Sequence, residues 1–301
     1  MPDAVSVEAP AKVNLRLAIL AREASGYHSL ESLFCAISLA DLLTVRRGDP
    51  GIALTVEGSV NTGPPERNLA VRAAHRFYEE LGEFPAIAIH LEKCIPSAAG
   101  LGGGSSDAAA TLRALNALHG EPVDRASLLR MAIELGSDVP FFLCGSALAL
   151  GWGRGERLLV LPPLPERAVL VAHPGVAMPT PEAFAATAER RGPAPPPRAF
   201  AMDAADLADW GAVERLAMND FGEVVAERIP VLNDALAAMR DAGARIALLA
   251  GSGGSVFGVF HTDDARDAAR ARVEALGLAC WSAHTLTALP APRVDPDPET
   301  A

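Results

Sequence analysis

Cysteine is scarce in this chain: Cys35, Cys94, Cys144 and Cys280 lie far apart and form no C-x-x-C pair. Such isolated thiols fit a reducing cytoplasm better than a disulfide framework. Residues Met1 to Glu8 lack the basic stretch and apolar core of an export signal, so none is expected. No uninterrupted apolar run approaches the length needed to span a bilayer, so no membrane role is expected. Positive charge is also short. With 26 Lys and Arg against 37 Asp and Glu, the net charge of −11 argues against nonspecific binding of nucleic acid or anionic membrane. A local basic pocket stays compatible with it. Internal repeats are missing. Low complexity is confined to Arg190–Arg198, where Pro193, Pro195, Pro196 and Pro197 read as a stiff surface loop. What remains is a cytoplasmic globular protein, expected as a monomer or weak homodimer.

The chain is long enough for two domains, and half of its 301 residues are hydrophobic. Its most informative stretch runs from Pro96 through Ser97, Ala98, Ala99, Gly100, Leu101, Gly102, Gly103, Gly104, Ser105 and Ser106. Before it, Ile87, Ile89 and Leu91 alternate as in a half-buried strand. After it, Ser106 to Leu118 carries apolar residues at helical spacing, and Gly120 supplies a stop. Glycine admits backbone conformations closed to other residues and lets a ligand approach the amides. A helix start adds unpaired N–H groups and the positive end of its dipole. Ser105 and Ser106 can cap that helix or donate to an anion. Together they favour a phosphate cradle over the alternative, a plain structural turn between strand and helix. No lysine follows the glycines, so the G-x-x-x-x-G-K-[ST] loop is excluded, and G-x-G-x-x-G also fails to fit.

Alternation over Ala11–Leu20 marks a first strand, with Val13, Leu15, Leu17 and Ile19 on one side. Lys12 and Asn14 share the other, about 7 Å apart. Two readings stay open there: a solvated polar face, or a lysine neutralising phosphate charge. A turn at Gly26-Tyr27-His28 precedes a second strand, Leu30–Leu39, and Ile52, Leu54 and Val56 mark a third. Asn68 caps a helix that Gly82 ends, and Asp124 caps another that ends at Gly136. Asp138 stands directly before the apolar run Val139–Leu143. It either caps the turn that Pro140 opens or is a carboxylate whose pKa is tuned for proton transfer.

Pro162, Pro163 and Pro165 suggest a domain hinge, dividing residues 1–161 from 162–290. Beyond it, the spacing predicts a strand at Ala168–His173 and helices at Pro181–Arg191, Val213–Ile229 and Pro230–Asp241. Strands Arg245–Leu249 and Ser255–Phe260 flank the glycine turn Gly251–Gly254. A helix at Asp264–Leu276 and a strand at Cys280–Leu286 follow. That order suits an α+β sandwich with helices on one face of the sheet. Residues 291–301 have nothing to bury and are expected to be loose.

Three segments together resemble the motifs of the GHMP kinases: Pro10–Asn14, Pro96–Ala109 and Ala250–Phe257. Gly26-Tyr27-His28, Gly136–Pro140 and His173-Pro174-Gly175 resemble the branch of that superfamily acting on cytidine diphosphate-linked methylerythritol in non-mevalonate isoprenoid synthesis. The resemblance implies a two-domain fold, with an ATP-binding domain like ribosomal protein S5 domain 2 and a ferredoxin-like C-terminal domain. It implies ATP and Mg²⁺, with Ser105 or Ser106 as candidate metal contacts, and phosphorylation of the substrate's 2-hydroxyl. Asp138 then matches the catalytic base and Lys12 its partner. Residues 96–106 match the ATP loop. Asn14, Tyr27, His28, Thr180 and Phe184 match the substrate pocket, with Phe184 and Tyr27 sandwiching the cytosine. A homoserine- or mevalonate-type kinase and a nonenzymatic nucleotide sensor are the alternatives.

Overall fold

The computed structural model describes residues 2–22, 28–58, 64–176, 178–191 and 207–294. Tyr27 and the proline-rich loop at 193–197 lie outside them, and of His28 only the backbone is described.

Strands β1 (Ala4–Arg22) and β2 (His28–Arg47) pair antiparallel along nearly their whole length. Both outrun the strands read from alternation. The register shifts at Pro10/Ala11 and between Asn14 and Arg16, and such bulges break the two-residue period while pairing continues. Next, β3 (Gly51–Glu57) and β4 (Ala86–Glu92) pair in parallel, joined across helix α1 (Leu69–Leu81) as a parallel pair requires. The Asn68 side chain accepts from the Ala70 N–H at 2.9 Å, and Gly82 closes the helix at φ 68°. Both ends of α1 are where the sequence puts them.

Helix α2 (Gly103–Leu118) begins at Gly103 rather than at Ser106, and no side chain caps it. Gly102, at φ 72°, makes the entry turn instead. Glycine's poor helix propensity hid the first turn from the sequence reading. Then come α3 (Arg125–Leu135), a 3-10 turn at Val139–Leu143, β5 (Leu148–Gly153) and β6 (Arg157–Leu161).

The second half contributes β7 (Ala168–His173), α4 (Thr180–Arg191), α5 (Trp210–Leu216) and β8 (Met218–Asn219). It continues with α6 (Gly222–Arg228), α7 (Val231–Asp241), β9 (Ile246–Leu249) and β10 (Val256–Phe260). Helix α8 (Asp263–Glu274), β11 (Ala279–His284) and β12 (Arg293–Val294) follow. The single helix expected over Val213–Ile229 is broken by β8, which pairs in parallel with Arg16 and Leu17 of β1. Its sequence is locally helical, and a tertiary partner overrides that preference. Likewise β12 pairs with Val5 and Ser6, so the loose tail expected from residue 291 does not begin there.

Among the described residues the strands form two sheets. The first has eight strands, with β12-β1-β2-β4-β3 as its main path, β5 and β6 extending from β2, and β8 alongside β1. The second runs β11-β7-β10-β9, all antiparallel, which is fourth, first, third, second in chain order. With α7 and α8 on one face, it is the expected ferredoxin-like sandwich. Leu232, Leu236 and Met239 of α7 and Val273 of α8 join Leu170, Val256 and Phe260 in its outer core. Its other face packs Val169, Val171, Phe257 and Val259 against Val13, Leu15, Leu33 and Ile37 of the first sheet. A third core lies between the first sheet and α1, α2 and α3. The two halves are therefore joined by a continuous apolar layer, not by a bare proline hinge.

Candidate active site

Lys12 lies in the middle of β1, and its backbone N–H donates to the Leu101 carbonyl at 2.9 Å, tying the strand to the glycine loop. The residue is 4% exposed, as are its neighbours within a few per cent: Asn14 at 2% and Arg16 at 5%. The open choice at this strand is thereby decided against a solvated face. A buried ammonium needs partners. Lys12 Nζ donates to Asn14 Oδ1 at 2.8 Å, lies 3.5 Å from Asp138 Oδ2, and sits over the Phe34 ring, 5.6 Å from its centroid. Asn14 in turn donates to Ser32 Oγ at 2.7 Å, and Ser32 donates to the Arg16 carbonyl. That relay fixes the amide so its oxygen faces the lysine.

Asp138 precedes the 3-10 turn but makes no side-chain cap bond. The turn after it is held down by buried Val139, Pro140, Phe141 and Phe142, with Phe141 stacked on Phe34 at 5.3 Å. Its carboxylate keeps 31% exposure toward a cavity of about 850 Å³. The capping alternative is thus not what this side chain does.

The glycine loop walls two cavities. Gly100 and Gly102 line both the 850 Å³ space and a second of about 380 Å³, which residues Pro96 to Ser105 border from one side. Ala98, Gly100 and Gly102 take positive φ of 53°, 80° and 72°. Left-handed residues alternating with their neighbours turn successive N–H groups into one concavity, which suits an anion. Helix α2 adds its dipole there. Ser106 does not line this cavity. It is 1% exposed, and its Oγ has no partner.

The second glycine turn closes on the first. A Cβ on Gly100 would stand 1.9 Å from the Ala250 carbonyl oxygen, and one on Gly253 would stand 2.5 Å from the Gly100 nitrogen. A Cβ on Gly251 would meet Gly100 O at 2.9 Å and Lys12 Nζ at 3.4 Å. Only main chain fits between them. Thr180 and Ser252 share a hydrogen bond at 2.9 Å between their hydroxyls, and Phe184 of α4 meets Phe221 edge-on at 4.8 Å. Lys12, Asn14, Asp138, Thr180 and Phe184 all line the larger cavity. The side chains of Tyr27 and His28 lie outside the described residues.

Residues 68–146 match the GHMP kinases N terminal domain, and residues 201–277 the GHMP kinases C terminal family. The chain is 42% identical over 290 residues to 4-diphosphocytidyl-2-C-methyl-D-erythritol kinase of Methylobacterium radiotolerans, covering 92% of this chain and 97% of that protein. It belongs to the 4-diphosphocytidyl-2-C-methyl-D-erythritol kinase family of the GHMP kinases. The Moorella thermoacetica kinase of the same name is 39% identical over 260 residues, covering 85% and 90%. A crystal structure of a 4-(cytidine 5'-diphospho)-2C-methyl-D-erythritol kinase superposes with a TM-score of 0.77 at 38% identity, covering 93% and 98%. Homoserine kinase from Cytophaga hutchinsonii, at 22% identity and TM-score 0.70, shares the fold.

The sequence reading missed a buried charge cluster behind this family's glycine loop. Lys93 Nζ donates to Asp41 Oδ2 and, at 2.8 Å, to Asp107 Oδ2. Asp41 Oδ1 also accepts from the backbone N–H groups of Cys94 and Ile95, at 2.6 and 2.8 Å. Two carboxylates here face one ammonium. Asp41 is fully bonded, whereas Asp107 Oδ1 has no partner. Of the two carboxylates, Asp107 is therefore the less well satisfied. Burial, with the Asp41 charge adding to it against the pull of Lys93, pushes the Asp107 carboxyl up to about 7. Burial works against the Lys93 charge, but the two carboxylates outweigh it and raise its pKa. Asp107, just past the serines, was the one visible signal; Asp41 arrives from a distant strand.

Two outcomes follow from this geometry. Gly100→Ala forces a Cβ into the Ala250 carbonyl at a positive φ and is expected to cost on the order of 2–3 kcal/mol in urea unfolding. A loss below about 0.5 kcal/mol would show that the two turns do not bear on each other. Because the Asp107 pKa is raised on folding, its neutral form adds stability at low pH, and that contribution fades from about pH 4 to pH 7. Asp107→Asn removes this titration, so the stability of the native chain relative to the variant should fall over that interval. An unchanging difference would place the proton elsewhere.

Proposed function

We propose that this chain transfers the γ-phosphoryl group of ATP to the 2-hydroxyl of 4-diphosphocytidyl-2-C-methyl-D-erythritol in the cytoplasm. One observation carries the reading: an ammonium and a carboxylate from distant parts of the chain, Lys12 and Asp138, meet 3.5 Å apart beside the glycine loop that walls both cavities. We assign residues 1–161 to the ATP side and 162–290 to the substrate side, with ATP in the smaller cavity and the cytidyl substrate in the larger.

In this reading Asp138 accepts the proton of the 2-hydroxyl as its oxygen bonds to the γ-phosphorus. The bond from that phosphorus to the β–γ bridging oxygen breaks, and ADP leaves with the electron pair. Lys12 pairs with Asp138 and stands where it can polarise the attacking oxygen. Loop N–H groups and the α2 dipole hold the phosphates and offset the charge spread over the transferring group, the main work of a protein in this reaction. Asn14 holds Lys12 in place. Phe184, braced by Phe221, offers a ring to the cytosine, and we assign Tyr27, which lies outside the described residues, as the second ring. Arg154, which lines the larger cavity, brings a second cation within range of the diphosphate. Among the described residues no cluster of three or more His, Cys, Asp or Glu side chains could hold a metal. Mg²⁺ favours a few protein oxygens plus phosphate. Ser105 and Asp107, both at the wall of the smaller cavity, fit that demand, whereas Ser106 is buried behind it. When bound, the ion would neutralise phosphate charge.

Asp138→Asn should bind ATP within about threefold of the native affinity yet lose at least about a hundredfold in kcat for ADP release. Turnover at the native rate would remove Asp138 from its role. Phe184→Ala should raise KM for the cytidyl substrate about tenfold and leave that for ATP alone. Equal rises for both would refute the stacking assignment, and no ADP release from the native chain with that substrate would overturn the reading itself.

A further inference from the structure

Asn219, in the two-residue strand β8, has no part in the chemistry above, yet its carboxamide is fully engaged. Nδ2 donates to the carbonyl oxygens of Leu249 and Gly251, both at 2.8 Å, and Oδ1 accepts from the Phe221 N–H at 2.9 Å. Its backbone is set against β1: Leu17 is its register partner, the Asp220 N–H donates to the Leu17 carbonyl at 3.0 Å, and the Ile19 N–H donates to Asp220 Oδ2 at 2.7 Å. The amide therefore stands on the strand that carries Lys12 and reaches two walls of the larger cavity at once. One wall is Gly251, whose main chain lies against Gly100 and the Lys12 ammonium. The other is Phe221, fully buried, whose ring meets Phe184.

We infer that Asn219 is a positioning residue, fixing the spacing between the wall that receives the cytosine and the place where the phosphoryl group is transferred. The inference rests on the kinase reading given above. A substrate held at its base by Phe184 delivers its distant hydroxyl to Asp138 only if these two walls keep their separation. Each half of the amide serves one wall, so two substitutions take them apart. Asn219→Asp keeps an oxygen for the Phe221 N–H but turns a carboxylate oxygen toward two carbonyls, freeing Gly251. Asn219→Ala frees both.

The test is steady-state ADP release with the cytidyl substrate and magnesium ATP, with kcat expressed per ATP-binding site from a nucleotide titration. Partial unfolding then drops out of the comparison. Asn219→Asp should lower kcat per site about tenfold to a hundredfold, with KM for the cytidyl substrate within about threefold of native. Asn219→Ala should lower kcat per site similarly and also raise that KM about tenfold, with KM for ATP unchanged in both variants. A purely structural residue would reduce the number of sites and leave kcat per site and both KM values alone; that result overturns the inference. So does a parallel rise in KM for ATP, or a rise in cytidyl KM as large in the Asp variant as in the Ala variant. If the native chain itself releases no ADP with this substrate, the kinase reading fails first, and the control shows it.

Discussion

The candidate site is held together where two stretches of bare main chain touch. Between Gly100 and the Ala250–Gly253 turn there is no room for a side chain on either side, since a Cβ on Gly100 would fall 1.9 Å from the Ala250 oxygen. Protein interiors are close-packed and do not absorb such an intrusion cheaply. This contact brings the second sheet's turn to the glycine loop of the first, and with it Gly251 to the Lys12 ammonium. Hinge-like separation of the halves is opposed by the apolar layer behind it, where Phe257 and Val259 pack on Leu15 and Ile37. The site is a seam between two closely packed edges.

Two buried lysines show how environment divides labour. Lys93 lies between Asp41 and Asp107, and its charge holds the loop's root to β2 and to helix α2. Losing one member of such a group leaves an uncompensated charge, so its value lies in specifying an arrangement more than in adding net stability. Lys12 instead has a neutral amide on one side and a partly exposed carboxylate on the other. Its ammonium lines the larger cavity. The same residue type is closed off in one place and faces a cavity in the other, and the number of carboxylates around it makes the difference.

Much of the first half was legible. Alternation gave the strand before the loop, and Asn68, Gly82 and Asp124 marked helix ends where the structure has them, because caps act through local hydrogen bonds. Expectations failed where a distant partner outweighed local preference. Met218 and Asn219 sit in a helical pattern but pair with β1, and residues 293–294 look unanchored but pair with Val5 and Ser6. The strands outran their alternation because bulges reset its phase.

By itself the sequence determined the chemistry available: a glycine-serine loop entering a helix, a lysine on a strand, an aspartate before an apolar turn, and the motifs that place the chain among the GHMP kinases. Those signals are short-range, carried by residues adjacent along the chain. Only the tertiary structure excluded a solvated face for Lys12 and a capping bond for Asp138, because burial and a 3.5 Å separation are properties of segments more than a hundred residues apart. It alone revealed Asp41, Lys93 and Asn219, whose partners no local pattern names.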